Sequence, residues 1–296
     1  MTRIAEALKR AAGGVADRQA AGPTADAIPF SSSDQPAVLS PWTLGANEPR
    51  PPNTAYEPQV HSHAAETARR PAAARAEKLV TASGFPFVAR EQYNRLGTVL
   101  RQAQLERSIK VVMLTSARPA EGKTLTAANL ALTLSESHRR RVLLVDADLR
   151  QPSLHEVFGV AVAPGLSDSL DAGGSVPVIQ LNARLSLLTA GNSGGDPIET
   201  LTSHRMRTFI DDSRRTFDWV LIDTPPVGLL TDARLLASMT DAALLVAMAG
   251  KTPYDAIQSA VQALGAECLA GVVLNGVVDG VLPHSVYRDY YEGRRT

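Results

Sequence analysis

Short apolar runs alternate with amphipathic stretches along the last two thirds of the chain. Ile109 to Thr115, Val142 to Val145, Arg184 to Ala190, Trp219 to Ile222, Asp241 to Met248 and Leu269 to Leu274 are runs rich in Val, Ile, Leu and Ala, bounded by turn residues. Such runs read as strands covered on both faces, because a strand with one wet face would alternate apolar and polar positions. Between them, apolar positions recur at helical spacing. Phe87 to Glu106 carries Val88, Tyr93, Leu96, Val99, Leu100 and Leu105, and Lys123 to Ser137 carries Leu125, Ala128, Leu130, Ala131 and Leu134. Leu166 to Leu170, Ile198 to Thr216 and Pro253 to Leu264 complete the predicted helices. Strands alternating with helices predict an α/β fold, a mostly parallel sheet with helices on both faces.

Upstream the pattern stops. From Gly13 to about Ala82 neither period survives in a mixture of Pro, Ala, Ser and Thr, so residues 1–82 are expected to be a disordered N-terminal region. Thr2 to Ala12, with Ile4 and Leu8 on one side, is a candidate docking helix or a frayed terminus. Residues 83–282 then form the domain, and 283–296 a polar tail holding Tyr287, Tyr290 and Tyr291.

Composition narrows the function classes. A chain of 296 residues with 44% hydrophobic residues can bury one good core beside a tail. Its 30 basic and 30 acidic side chains balance, so no net field argues for a nucleic-acid partner. Cys268 is the only cysteine, which excludes a disulfide or a cysteine-built zinc site within one chain. No window approaches a membrane span and the N-terminus lacks the apolar core of a signal peptide, so a cytoplasmic setting is expected.

The candidate chemistry gathers where predicted strands end. The run Val111 to Thr115 breaks into Ser116-Ala117-Arg118-Pro119-Ala120-Glu121-Gly122-Lys123-Thr124 and then a helix, which is what a phosphate-binding loop needs. The backbone N–H groups from Ala120 through Glu121, Gly122, Lys123 and Thr124 to Leu125, at the positive end of that helix, are expected to bind nucleotide phosphates. Lys123 adds a point charge, and the Thr124 hydroxyl a ligand for Mg2+. Ala117 stands where the strict pattern has its first Gly, and its methyl group is small enough for the turn. A second strand ends in Asp146-Ala147-Asp148-Leu149-Arg150-Gln151-Pro152 and a third in Asp223-Thr224-Pro225-Pro226. Asp146 and Asp148, two residues apart on an extended segment, point to one side, and Asp223 caps its strand as a Walker B acid would. A phosphate cradle, a metal and an acid that orients the nucleophile are the parts of phosphoryl transfer.

These three segments resemble the Walker A, Walker A′ and Walker B motifs of the bacterial tyrosine kinases, the autokinases of capsule and exopolysaccharide export, and the resemblance runs from about Arg90 to the C-terminus. It implies a P-loop NTPase fold of the deviant-Walker class and an ATP-dependent protein-tyrosine autokinase. It further implies a magnesium site of Thr124, Asp146 and Asp223, activation of the tyrosine hydroxyl by Asp146 or Asp148, and phosphates held by Lys123. Tyr287, Tyr290 and Tyr291 would then be phosphorylated by a neighbouring subunit of a homo-oligomer. A membrane-embedded polysaccharide chain-length regulator would activate the kinase and recruit it to the inner face of the cell membrane. The chain departs from the family pattern at Asn94, where the helix Glu-x-x-Arg motif has Arg, and at Ala120, where Gly is common. Two other functions stay open: a partitioning-type nucleotide-switch ATPase that positions a cargo, and an inactive nucleotide-binding scaffold. Asn275, after the last strand, reads either as a contact to the nucleotide base or as a strand-end turn.

Overall fold

The computed structural model describes residues 60–61, 76–172, 178–192, 194–228 and 232–277, all within a unit spanning Thr54–Thr296. The candidate docking helix and the three tail tyrosines lie outside the described residues. In chain order the elements are β1 (Val60–His61), α1 (Phe87–Arg107), β2 (Val111–Ser116), α2 (Lys123–Glu136), β3 (Val142–Asp146), α3 (Leu154–Phe158) and α4 (Leu166–Ala172). They continue as β4 (Val178–Asn182), β5 (Leu185–Leu188), α5 (Pro197–Thr202), α6 (His204–Thr216), β6 (Trp219–Asp223), α7 (Asp232–Ala237), β7 (Ala242–Met248), α8 (Tyr254–Leu264) and β8 (Leu269–Asn275).

The strands form one sheet in the order β1-β4-β5-β3-β6-β2-β7-β8, and every neighbouring pair is parallel except β4 with β5. All residues of β2, β3 and β6 are buried. The period of two along each strand then sorts the apolar side chains into two layers. Val111, Met113, Leu143, Val145, Val220 and Ile222 pack with Leu201, Met206, Phe209, Leu236 and Leu264 of α5 to α8. Val112, Leu114, Leu144, Trp219 and Leu221 pack with Leu100 of α1, Leu130 and Leu134 of α2, and Leu154 of α3. The expected α/β architecture with helices on both faces is thus present.

Topology brings the motif strands together. The chain passes from β2 through α2 to β3, and β6 later fills the place between them. Asp146 and Asp223, the last residues of β3 and β6, are direct register partners, and Asp223 is also in register with Leu114 of β2.

Several elements differ from the pattern reading. The predicted helix Ile198 to Thr216 is two helices broken at Ser203, whose Oγ accepts the Met206 N–H at 3.1 Å as an N-cap. On α1, Val99 and Leu105 were expected on the core face but are exposed, while Gly97 and Leu100 are buried and Leu96 and Ala103 pack beside them. The short α3 and α7 and the strand β4 were not anticipated, since runs of five or six residues carry too little periodicity. Val60–His61 pairs with β4 inside the stretch that showed no period.

The lower boundary of the domain moves as well. Leu79 and Val80, expected in the disordered region, are buried in the layer of α1 and α2. Asn129, inside the buried helix α2, anchors them: its Oδ1 accepts the Val80 N–H at 2.6 Å and its Nδ2 donates to the Lys78 carbonyl at 3.0 Å. Replacing Asn129 by Ala leaves the Val80 N–H without its partner, at a cost of about 1–3 kcal/mol. A thermal melt of Asn129→Ala is expected to show a Tm several degrees lower, and hydrogen exchange a loss of protection at the Val80 amide.

Candidate functional site

The loop between β2 and α2 has the backbone of an anion cradle. Gly122 is the N-cap of α2 with φ 87°, and Ala120 is left-handed at φ 61°. No side chain caps the helix, so its first N–H groups remain for a ligand. Gly122 has no space for a Cβ, because the Asn275 amide packs directly against it, and that Nδ2 donates to the Glu121 carbonyl at 3.0 Å. Asn275 Oδ1 accepts the Gly276 N–H at 2.8 Å, so the residue makes the strand-end turn and braces the loop at once. Ala117 is buried where the strict pattern has Gly. The chain after β6 crosses close beside it, so that a Cβ on Gly228 would lie 2.6 Å from the Ala117 carbonyl oxygen.

Side chains converge at the mouth of this loop. Lys123 Nζ lies 2.9 Å from Asp148 Oδ2 and 3.6 Å from Asp223 Oδ1. The Thr124 hydroxyl donates to Asp223 Oδ2 at 2.6 Å, and the Ser153 hydroxyl lies 3.2 Å from Thr124 Oγ1. Asp146 and Asp148 do not work as a matched pair facing one point. Asp146 Oδ2 accepts the N–H groups of Ser153 (3.0 Å) and Leu154 (2.9 Å), holding the start of α3, and its Oδ1 accepts the Asp148 N–H at 3.2 Å. Asp148 instead turns to Lys123, with its Oδ1 taking the Gln151 N–H at 3.1 Å.

Charge is crowded here. Asp146 and Asp223 are fully buried, and Lys123 is the cation beside them. Burial, then the neighbouring Asp223, pushes Asp146 up to about 7 despite its backbone N–H partners and Lys123. Burial likewise raises Asp223 to about 6 against the opposing pull of Lys123 and Thr124. For Lys123, burial favours the neutral amine, but Asp223 and Asp148 outweigh it and hold the ammonium form above its ordinary value. Asp223 Oδ1 is buried and accepts no hydrogen bond among the described residues, with Lys123 Nζ 3.6 Å away. No three His, Cys, Asp or Glu side chains among the described residues form a preformed metal cage. Magnesium asks for less, one or two carboxylates beside a hydroxyl and phosphate oxygens, and Thr124, Asp223 and Asp146 fit that donor set.

Two residues outside the motifs, Ser153 and Asp232, join the site, and with them Arg150 of the Asp146 to Pro152 segment. Ser153 reaches Thr124, and Arg150 makes a two-point ion pair with the buried Asp232 of α7, Nε to Oδ2 at 2.8 Å and Nη2 to Oδ1 at 3.4 Å. The Arg150 and Asp232 pair ties the segment after β3 to the segment after β6, 82 residues apart in sequence. Neither its spacing nor its composition marks it in advance.

Compared with characterised proteins, the chain is 36% identical over 206 residues to tyrosine-protein kinase YwqD of Bacillus subtilis, covering 68% of this chain and 85% of that one. It is 32% identical over 210 residues to tyrosine-protein kinase wzc of Salmonella typhimurium, covering 69% of this chain and 29% of that one. It thus spans most of the first relative and less than a third of the second. Among solved structures, the kinase domain of Escherichia coli tyrosine kinase ETK superposes with a TM-score of 0.61 at 29% identity, over 67% of this chain and 83% of that one. No family model matches the chain.

Two outcomes follow from the geometry. Ala120 holds a left-handed conformation that disfavours a Cβ, so Ala120→Gly is expected to raise stability by about 1 kcal/mol in denaturant unfolding at fixed m-value. The raised carboxylates of the folded, ligand-free protein keep their protons to higher pH than the same groups do when unfolded. Their contribution is complete below the ordinary carboxylate value near 4 and is lost as pH rises through about 6 to 7. Asp223→Asn, which cannot ionise, should therefore be more stable than the parent at pH 8 by on the order of 1 kcal/mol. The gain should vanish at pH 4 in melts of nucleotide-free protein.

Proposed function

The chain belongs to the bacterial tyrosine-protein kinases, and from that premise we propose that it is an ATP-dependent autokinase whose phosphate-accepting residues are Tyr287, Tyr290 and Tyr291 of a second copy. The observation that carries the reading is the convergence of Lys123, Thr124, Asp146, Asp148 and Asp223 at the start of α2. In this reading the loop N–H groups from Ala120 to Leu125 bind the phosphates of ATP, and Lys123 exchanges part of its contact with Asp148 for the γ-phosphate. Thr124, Asp223 and Asp146 would hold Mg2+, which would neutralise charge on the β- and γ-phosphates.

Asp148 is then the group that receives the proton of the attacking tyrosine hydroxyl. It faces Lys123, where the γ-phosphate would lie, while both oxygens of Asp146 are committed to backbone N–H groups. The tyrosine oxygen forms a bond to the γ-phosphorus, the bond from that phosphorus to the ADP oxygen breaks, and the hydroxyl proton passes to the carboxylate. Asn275, pressed on the loop, would in this reading also contact the nucleotide.

The biological setting we infer is control of exopolysaccharide or capsule polymerisation, with a membrane-embedded chain-length regulator as activator and membrane anchor. Among the described residues no helix is long and apolar enough to cross a membrane. Action in trans requires a homo-oligomer, in which α1 has its own character: Asn94, where the family pattern has Arg, donates to Glu91 of the same helix at 3.0 Å.

Mass spectrometry of the full chain incubated with ATP and magnesium is expected to find phosphate on the tail tyrosines. Lys123→Ala should remove it, and Asp148→Asn should lower it by at least about a hundredfold while leaving ADP binding in place. Bare tyrosines alongside ATP hydrolysis would instead support a switch ATPase.

A further inference from the structure

Glu121 is an unexpected side chain to find buried in a phosphate-binding loop, because its carboxylate bears the same sign of charge as the group the loop is shaped to hold. Its contacts explain its presence by geometry. One oxygen, Oε2, accepts the Arg118 N–H at 2.9 Å and closes the loop upon itself. The other, Oε1, accepts the hydroxyl of Thr252, and Thr252 Oγ1 in turn accepts the N–H of Met248, the last residue of β7, at 2.8 Å. With the bond from Asn275 to the Glu121 carbonyl, the loop is fastened to the ends of both β7 and β8. These strands lie on the side of β2 away from β6 and β3, which carry Asp223 and Asp146.

The two residues flanking Glu121 are Ala120 and Gly122, both in the left-handed region. A loop with an alanine at φ 61° holds that shape only when its surroundings over-determine it. We propose that Glu121 and Thr252 form a latch that presets the phosphate loop, making them positioning residues for nucleotide binding. The turn between β7 and α8 thereby sets nucleotide affinity although it touches no phosphate-binding N–H group. Without the Thr252 hydroxyl, Glu121 Oε1 is left buried and unpaired, and binding must then rebuild the loop at the cost of affinity. This inference rests on the nucleotide reading given above.

The test compares full-length wild-type, Thr252→Val and Thr252→Ser proteins. Titration calorimetry with ADP and magnesium reads affinity, and hydrogen exchange of residues 118–124 without nucleotide reads the loop itself. Thr252→Val is expected to weaken ADP binding about tenfold, the loss of one charge-assisted hydrogen bond, and to deprotect the loop amides. Thr252→Ser should restore both. A merely structural contact would lower Tm and leave the affinity of the folded protein unchanged, so equal ADP affinity in Thr252→Val and wild type overturns the latch. If wild type binds no ADP, the nucleotide reading fails; deprotection in Thr252→Val then still supports the latch as a loop contact, and unchanged exchange overturns it too.

Discussion

Asp146 and Asp223 sit side by side at the ends of neighbouring parallel strands, both removed from water, and the local structure is arranged around the cost of ionising them. Among the described residues Lys123 supplies the only counter-charge bonded into the group, and its nearest carboxylate is a third one, Asp148. Three carboxylates against one ammonium leave the site short of positive charge. The polar groups around it each relieve part of that deficit: the Thr124 hydroxyl on Asp223, and on Asp146 three backbone N–H groups, that of Asp148 and those of Ser153 and Leu154 at the start of α3. A divalent cation would complete the balance, and a polyphosphate would then be held by the loop N–H groups and Lys123.

Such a site needs a frame that does not relax around it. Helix α2, which begins at Lys123, is buried from Thr126 through Ser135 without a wet face, and β2, which ends at Ser116, is buried along its whole length. The loop between them is therefore fixed at both ends by core packing and braced at its middle by Glu121, Asn275 and Thr252. That bracing explains how a chain with Ala at position 120 keeps a loop shape that glycine adopts at lower cost. The Arg150 and Asp232 ion pair extends the frame across the mouth, joining the segments that follow the two acidic strands.

Much of this was legible in the residues. Strands buried on both faces announce themselves as unbroken apolar runs, and β2, β3, β6, β7 and β8 lie within a few residues of where the pattern put them. The elements that were missed are those that tertiary contacts make. Strand β4 exists because it pairs antiparallel with β5, and α3 because Asp146 accepts the N–H groups at its start. Leu79 and Val80 entered the core because Asn129, a polar residue inside a buried helix, takes the Val80 N–H and the Lys78 carbonyl beside them as its partners. Val99 and Leu105 were misplaced for the opposite reason: helical spacing identifies a face, and only packing decides how wide that face is.

By itself the sequence determined the α/β architecture, the phosphate loop and the identity of the carboxylates near it, because each is a local matter of period, turn chemistry and residue type. It could not determine the roles of those carboxylates. Asp146 and Asp148 are equivalent as a spaced pair on an extended segment. They diverge only when the fold commits both oxygens of Asp146 to backbone N–H groups and turns one oxygen of Asp148 to Lys123. The pairing of Asp146 with Asp223, the latch from Glu121 to Thr252 and the ion pair from Arg150 to Asp232 join positions 77, 131 and 82 residues apart. Contacts at that range depend on strand order, and the order that slots β6 between β3 and β2 was decided by the tertiary structure.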